Sequence, residues 1–415
     1  MTKPPWKLTT RMLTPSDIRA TPTQLAVFRS FATTGDPRAD AVVEMMARLP
    51  GATGRHLFEQ ALQNGIDDLK DPPPELVDLF AEVDAVPYWL DPDLLDRGAR
   101  VVSRTGLLGL TMVMPCACLY GGYLASRANK TLVRTGELDT MAARRLAETA
   151  GWWVEVTTPG GLGRFDPGLQ QTLRVRIMHA QVRAAMHRRD DWDHEAWDAP
   201  INQIQLTGTL LLFSLVMLLG SRALGLQFSK ADQAGVLHLW RYVGHLMGIH
   251  PNLLPATGND AWRLLWLEAA TEFQPDQDSQ RLARSLMKAA APLMLPPPLK
   301  KSPLARRILT SYLLSYSRLI LGKGNADFLG APDDRRYQAA VAATAAIVFT
   351  VETARRLIPG ATGLSQRLGH RHRTAMSRRM TAEQHADRTH SRHDSALQPA
   401  VNGRPNPCTA PTSPA

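Results

Sequence analysis

From about residue 36 to residue 357 the apolar side chains recur at three- and four-residue spacing almost without a break, and strand-type alternation is scarce. Such a chain must bury a stripe of each helix against another helix, which restricts it to an all-α architecture. Leu57, Ala61, Leu62 and Ile66 form one stripe, and Leu76, Leu79, Phe80 and Val83 form another; Pro72, Pro73 and Pro74 separate them. Asp91-Pro92 opens a further helix, since aspartate caps well and proline is pre-set for the first turn. Helices are also predicted at 230–249, 260–273, 277–291, 303–321 and 333–357. With 415 residues, 44% of them hydrophobic, the chain can build one large core. The expected organisation is an N-terminal lead over 1–35 with one short helix, a single helical domain over 36–359, and a tail over 360–415.

Two stretches stand out for apolarity. No acid occurs from Arg97 to Gly136, and the run GLLGLTMVMPCACLYGGYLA within it reads as buried, with Pro115 expected to kink or break the helix. Ala199 to Ser221 holds 23 uncharged residues, enough to span a bilayer, but its first half is polar, and a central helix of a large core is the better reading.

The net charge of +10 is concentrated near the C-terminus. Between Arg355 and His393 nine arginines meet only Glu383 and Asp387, while apolar residues are few, the composition of a disordered tail. The rest of the chain is nearly balanced and carries no zinc-finger or RRM spacing, so no specific nucleic acid is expected; weak contact of the tail with anionic surfaces is. Three cysteines (Cys116, Cys118 and Cys408) are too few for a disulfide framework and point to a reducing compartment. The first 20 residues lack the apolar run of a secretory signal, so a cytoplasmic location is expected.

Two constellations could carry chemistry. In RANKT, Arg127, Lys130 and Thr131 share a helix face directly after the apolar stretch. A desolvated lysine there could act as a base or a ligand; a solvated helix end is the plain alternative. In RVRIMHAQVRAAMHRR, Arg176, His179, Arg183 and His187 form one stripe beside Val175, Met178, Val182 and Met186. An imidazole flanked by guanidinium groups suits an iron centre in a carboxylate-bearing macrocycle, though lone helical histidines are mostly structural. The RRDDWDHE run reads as a solvated loop, GGLG at 160–163 fails the dinucleotide fingerprint, and His245 reads as a packing residue.

VPYWLDPDLLDRGARV, RANKT, TTPGGLGRFD leading into RVRIMHAQVR, and WRYVGHLMGI follow one another along the chain. In this order they resemble the haem-dependent rubber oxygenase (latex-clearing protein) catalytic-domain family, which includes mpaB-type oxygenases, over roughly residues 40–350. The resemblance implies an all-helical fold with a globin-like core around haem b. His179 would be the proximal iron ligand, and Arg176 and Arg183 would hold the haem. Lys130 would match a lysine able to occupy the distal side of the iron, with Arg127 and Thr131 as its pocket partners.

One departure bears on the reaction. Rubber-cleaving members carry a glutamate upstream of R-x-x-K-T, whereas 97–136 contains no acid, leaving a proton-abstraction step without an acceptor in that interval. Glu137 and Glu148 are the nearest acids in sequence. The expected activity is therefore a haem b-dependent oxygenase using O2 or peroxide on a small hydrophobic substrate other than polyisoprene. The alternatives are a haem-binding or helical binding module without turnover, and a peripheral membrane protein held by its basic tail.

Overall fold

Prolines and short polar caps set where the helices begin. Pro22, Pro37, Pro74, Pro92, Pro167 and Pro303 each occupy the first turn of a helix, where the missing N–H would have had no partner. Thr21, Asp36, Asp91 and Ser302 accept hydrogen bonds from the free amides that follow. The computed structural model describes residues 18–136 and 138–397. Among them the sole strand-like feature is an isolated bridge between Ala125 and Phe273, so the fold is all-α, as the periodicity predicts.

The longer helices are α1 (Pro22–Ser30), α2 (Pro37–Arg48), α3 (Thr53–Asn64), α4 (Pro74–Asp84), α5 (Pro92–Leu108, continuing to Gly122), α6 (Ser126–Arg134), α7 (Leu138–Val156) and α8 (Pro167–His187). They are followed by α9 (Gln203–Leu211, continuing to Ala223), α10 (Lys230–Leu246), α11 (Gly258–Thr271), α12 (Gln277–Met294), α13 (Pro303–Leu329), α14 (Arg335–Leu357) and α15 (Ala361–Leu397). α5 is the axis of the assembly: α10 and α15 pack along it, and its continuation meets α9 and α13.

The apolar run does not break at Pro115. Residues Gly109–Leu119 widen into π-type turns that carry the helix through the proline, and the irregular backbone falls at Gly106, with φ 56° and ψ −137°. A break at Pro115 would have stranded several buried backbone groups without partners. α9 widens in the same way at Leu212–Val216. By length and composition Pro92–Gly122, Gln203–Ala223 and Arg335–Leu357 could each cross a membrane. The most apolar windows of the first two are 83% and 72% buried inside the protein, whereas that of α14 is 11% buried and exposes Ile347, Phe349 and Val351.

The boundary expected at residue 360 requires correction. α15 docks on α5 and α7, with Met380 and Ser377 buried. A Cβ on Gly369 would lie 2.2 Å from the Ser103 carbonyl oxygen, so the backbones touch where only glycine fits. Arg373 is fully buried, donating to Thr157 Oγ1 (2.6 Å), the Thr157 carbonyl (2.6 Å) and Ser103 Oγ (3.0 Å). This docking uses a close glycine contact and a hydrogen-bonded arginine in place of an apolar stripe, so hydrophobicity does not reveal it. Residues 398–415 and 1–17 lie outside the described residues.

Candidate functional site

α8 carries His179 on a stripe that faces α2, and the acids of α2 are spaced to meet it. Asp36 and Asp40 stand four residues apart, as do neighbouring turns of α8. Arg176 donates through Nε to Asp36 Oδ2 (2.6 Å) and through Nη2 to Asp36 Oδ1 (3.0 Å). Its Nη1 reaches the Leu246 carbonyl (3.2 Å) and lies 2.8 Å from Glu82. Arg183 pairs with Asp40 (2.7 Å for the shortest contact) and donates to the Ile201 carbonyl at 2.7 Å. Both guanidinium groups therefore hold α8 to the N-terminal helices. Burial works against the charge of Arg176, but Asp36 and Glu82 outweigh it and its pKa rises.

His179 sits between these two clamps. Its Nδ1 is enclosed without a hydrogen-bond partner. Burial, with Arg183 adding to it, pulls the imidazole down to about 4, so the ring is neutral at physiological pH. A neutral imidazole is the form that binds metals. His187 stacks on His194 at 5.0 Å, and His245 packs on Tyr242 and Trp89, so both are packing residues.

The R-x-x-K-T face of α6 lies against other elements. Lys130 Nζ donates to Asp276 Oδ2 (2.5 Å) and Asp278 Oδ2 (2.7 Å) and stands 5.7 Å from the Trp197 ring centre. Burial lowers the lysine's pKa, but the two carboxylates outweigh it and the net shift is upward. Of the two readings the sequence leaves open for Lys130, the paired aspartates favour a charged side chain over a desolvated, neutral one. Arg127 donates to the carbonyls of Ala196 (3.2 Å) and Thr271 (3.1 Å) and faces Asp198 and Glu272, which also bind Arg29 at 2.8 and 2.7 Å. Thr131 is buried with Oγ1 unpartnered.

α8 packs chiefly on α2, α7 and α10, and α6 on α12. The segment 198–203 ties the two halves together: Asp198 faces Arg127, while the Ile201 carbonyl accepts from Arg183. Asp198 (φ 63°) and Ile201 (φ 48°) both lie in the left-handed region, which is costly for a β-branched residue. Gln203 stays the segment by donating to the carbonyls of Gly35 (2.7 Å) and Gly248 (2.9 Å).

Although 97–136 contains no acid, acids from other elements lie beside α6. Glu268 of α11 is 3% exposed, its Oε1 has no partner, and it lines a cavity of about 50 Å3 shared with Ala125, Ala128 and Gly208. Burial, and then the neighbouring Glu272, push it well above the usual carboxylate range. A usable signal existed: Glu268 lies on the apolar stripe of α11 with Leu264 and Leu265. Glu148 is paired with Arg144 at 2.7 Å, and Glu137 lies outside the described residues.

Residues 106–350 match the family described as "ER-bound oxygenase mpaB/B'/Rubber oxygenase, catalytic domain". The chain belongs to this family. It is 23% identical over 208 residues to the Rubber oxygenase of Streptomyces sp. (strain K30), a match covering 49% of this chain and about half (48%) of that relative. It also shares its fold with a solved structure titled "Structure of Latex Clearing Protein LCP in the closed state", at a TM-score of 0.60 and 19% identity, over 83% of this chain and 91% of that one. In this member of the rubber oxygenase/mpaB family the matched region contains both α6 and His179, while α15 lies beyond it.

Proposed function

We propose that this chain is an oxygenase that binds haem b through His179 and acts on a small, largely apolar substrate with O2 or peroxide. The observation that carries the reading is the neutral, unpartnered imidazole of His179, enclosed on a helix clamped at both neighbouring turns. That donor fits an axial iron ligand: it needs no deprotonation and no hydrogen bond has to be broken to free it. Arg176 and Arg183, both paired with carboxylates of the N-terminal helices, act as positioning residues for the helix. When bound, the haem would supply the oxygen chemistry.

The remaining roles belong to the chain's own groups. Lys130 would reach a metal only after losing a proton and leaving Asp276 and Asp278, so in this conformation it is held in reserve. Arg127 fixes α6 to the 198–203 segment, and Thr131 offers an unspent hydroxyl beside it. Glu268, its carboxyl pushed up by burial, lines a small cavity beside α6, which suits a group that gives up or regains a proton during turnover.

The test is an absorption spectrum of protein purified from haem-replete cells, with and without reductant and carbon monoxide. A Soret band that is lost in His179→Ala and kept in His187→Ala and His245→Ala supports the assignment. A full band in His179→Ala removes the ligand, and no band in the wild type favours the reading as a binding module without turnover. Incubation with latex is expected to leave no aldehyde or ketone ends.

A further inference from the structure

Three of the segments for which spacing alone suggested no chemistry converge on one place. The entry to α5, the glycine-rich turn between α7 and α8, and the middle of α10 enclose a cavity of about 460 Å3, closed by Val83, Leu95, Ala99, Leu162, Arg164 and Tyr242. That volume lies in the range of small-molecule sites, roughly 300–1,000 Å3. His179 does not line it. Leu169, which does, stands ten residues earlier on α8, about 15 Å away at the helical rise. His179 is therefore not part of the cavity's lining.

The wall is mostly apolar, and its few polar groups are specific. The Tyr242 hydroxyl makes no hydrogen bond among the described residues, although the side chain is only 7% exposed. Arg164 pairs with Asp84 through Nε and donates to the Leu62 carbonyl (3.4 Å), leaving a buried Nη2 without an acceptor. Its guanidinium is held 5.2 Å from the Phe80 ring centre and 4.8 Å from that of Phe165, so it is fixed in place. The buried Arg164 donor left unmet is costly and calls for an acceptor, and the Tyr242 hydroxyl, which is not enclosed, is free to donate to the same one. Charge on the wall is already answered, Arg164 by Asp84 and Asp96 by Arg100, so an anion is not required. Val86, 72% exposed, marks the side open to solvent.

We propose that this cavity binds an uncharged, largely apolar molecule bearing a carbonyl oxygen, which accepts from Tyr242 and Arg164 while its hydrocarbon part lies on Val83, Leu95 and Leu162. The oxygen satisfies donors the protein leaves open, and the hydrocarbon replaces water on an apolar wall. An alkane would leave the donors unmet, and a carboxylate would add a charge beside Asp84 and Asp96.

The probe is 2-undecanone, titrated calorimetrically into the full-length protein, with decanoate as the anionic counterpart. Saturable one-to-one binding of the ketone is expected, and decanoate should bind more weakly. Tyr242→Phe, which removes only the hydroxyl, should weaken ketone binding roughly two- to tenfold, the value of one hydrogen bond. Leu95→Trp, which fills the cavity from a half-buried helical position, should abolish it, and His179→Ala should leave it unchanged. The proposal is overturned if the wild type shows no saturable binding or prefers decanoate, or if Tyr242→Phe and Leu95→Trp, both melting like wild type, bind as it does. Loss of binding in His179→Ala would place the site at the iron ligand and overturn the proposal. Because the readout is binding of the ketone, a protein that fails to load haem still tests it.

Discussion

Arg373 of the last helix lies 5.4 Å over the ring of Trp153 in α7, with its guanidinium donating to Thr157 one turn further on. The contact joins a segment rich in charge to the centre of an apolar core. Fully buried arginines are rare because desolvation is expensive, and burial pulls this one down to about 9. Its three hydrogen bonds and the ring beneath it are what hold the charge there.

Removal of residues 361–415 should therefore destabilise the protein strongly, because it uncovers the faces of α5 and α7 that α15 occupies. Arg373→Met, a milder change of similar length, should cost about 2–4 kcal/mol by leaving the Thr157 carbonyl and Ser103 unpaired. Thermal melts of both variants check this. A truncated protein that melts with the wild type would detach α15 from the core.

Much of the architecture was readable from residue spacing because amphipathic helices declare themselves: the helices expected at 230–249, 260–273 and 277–291 form as Lys230–Leu246, Gly258–Thr271 and Gln277–Met294. α15 was not readable, because its docking rests on Gly369 and Arg373, residue types that score as polar or neutral. At the site, the stripe of Arg176, His179 and Arg183 was visible, but its partners Asp36, Asp40 and Glu82 come from other helices about 100–140 positions away. No local pattern links them. Lys130 could not be decided from sequence for the same reason: the aspartates that pair with it lie 146 and 148 residues away.

The Arg176–Asp36 pair separates a structural role from a cofactor-holding one. Arg176→Met strands a buried carboxylate and should cost the haem-free protein about 3–5 kcal/mol, whereas replacing both partners, Arg176→Met with Asp36→Leu, should recover much of that loss. Urea unfolding of haem-free protein measures it. An arginine whose only task was to hold a cofactor would leave the stability of the haem-free protein unchanged.

Lys130 should behave as an ion-pair partner. Lys130→Met leaves Asp276 and Asp278 facing each other without their shared cation and should lower stability by about 1–3 kcal/mol. Converting both acids to asparagine in the Lys130→Met background should restore part of it, since the mutual repulsion is then gone. Thermal melts of the single and triple variants decide the point; equal melting of all forms would mean the cluster contributes nothing.

Glu268 makes the sharpest pH prediction. Its pKa is raised in the folded state, so below the ordinary carboxylate range both folded and unfolded chains hold the proton and the residue carries no penalty. As pH rises through about 4.3 the unfolded chain releases its proton while the native one retains it, and stability falls with further rise until the folded group itself ionises. The penalty grows by at most about 1.4 kcal/mol per pH unit for this single group. Arg29, facing the site from α1, limits it, and the neighbouring Glu272 extends it. Glu268→Gln keeps the shape and cannot ionise, so the variant should melt close to wild type near pH 4 and increasingly above it toward pH 8. Parallel melting curves for the two proteins across that range would show that Glu268 is ionised in the fold, and would remove it as a store of the reaction's proton.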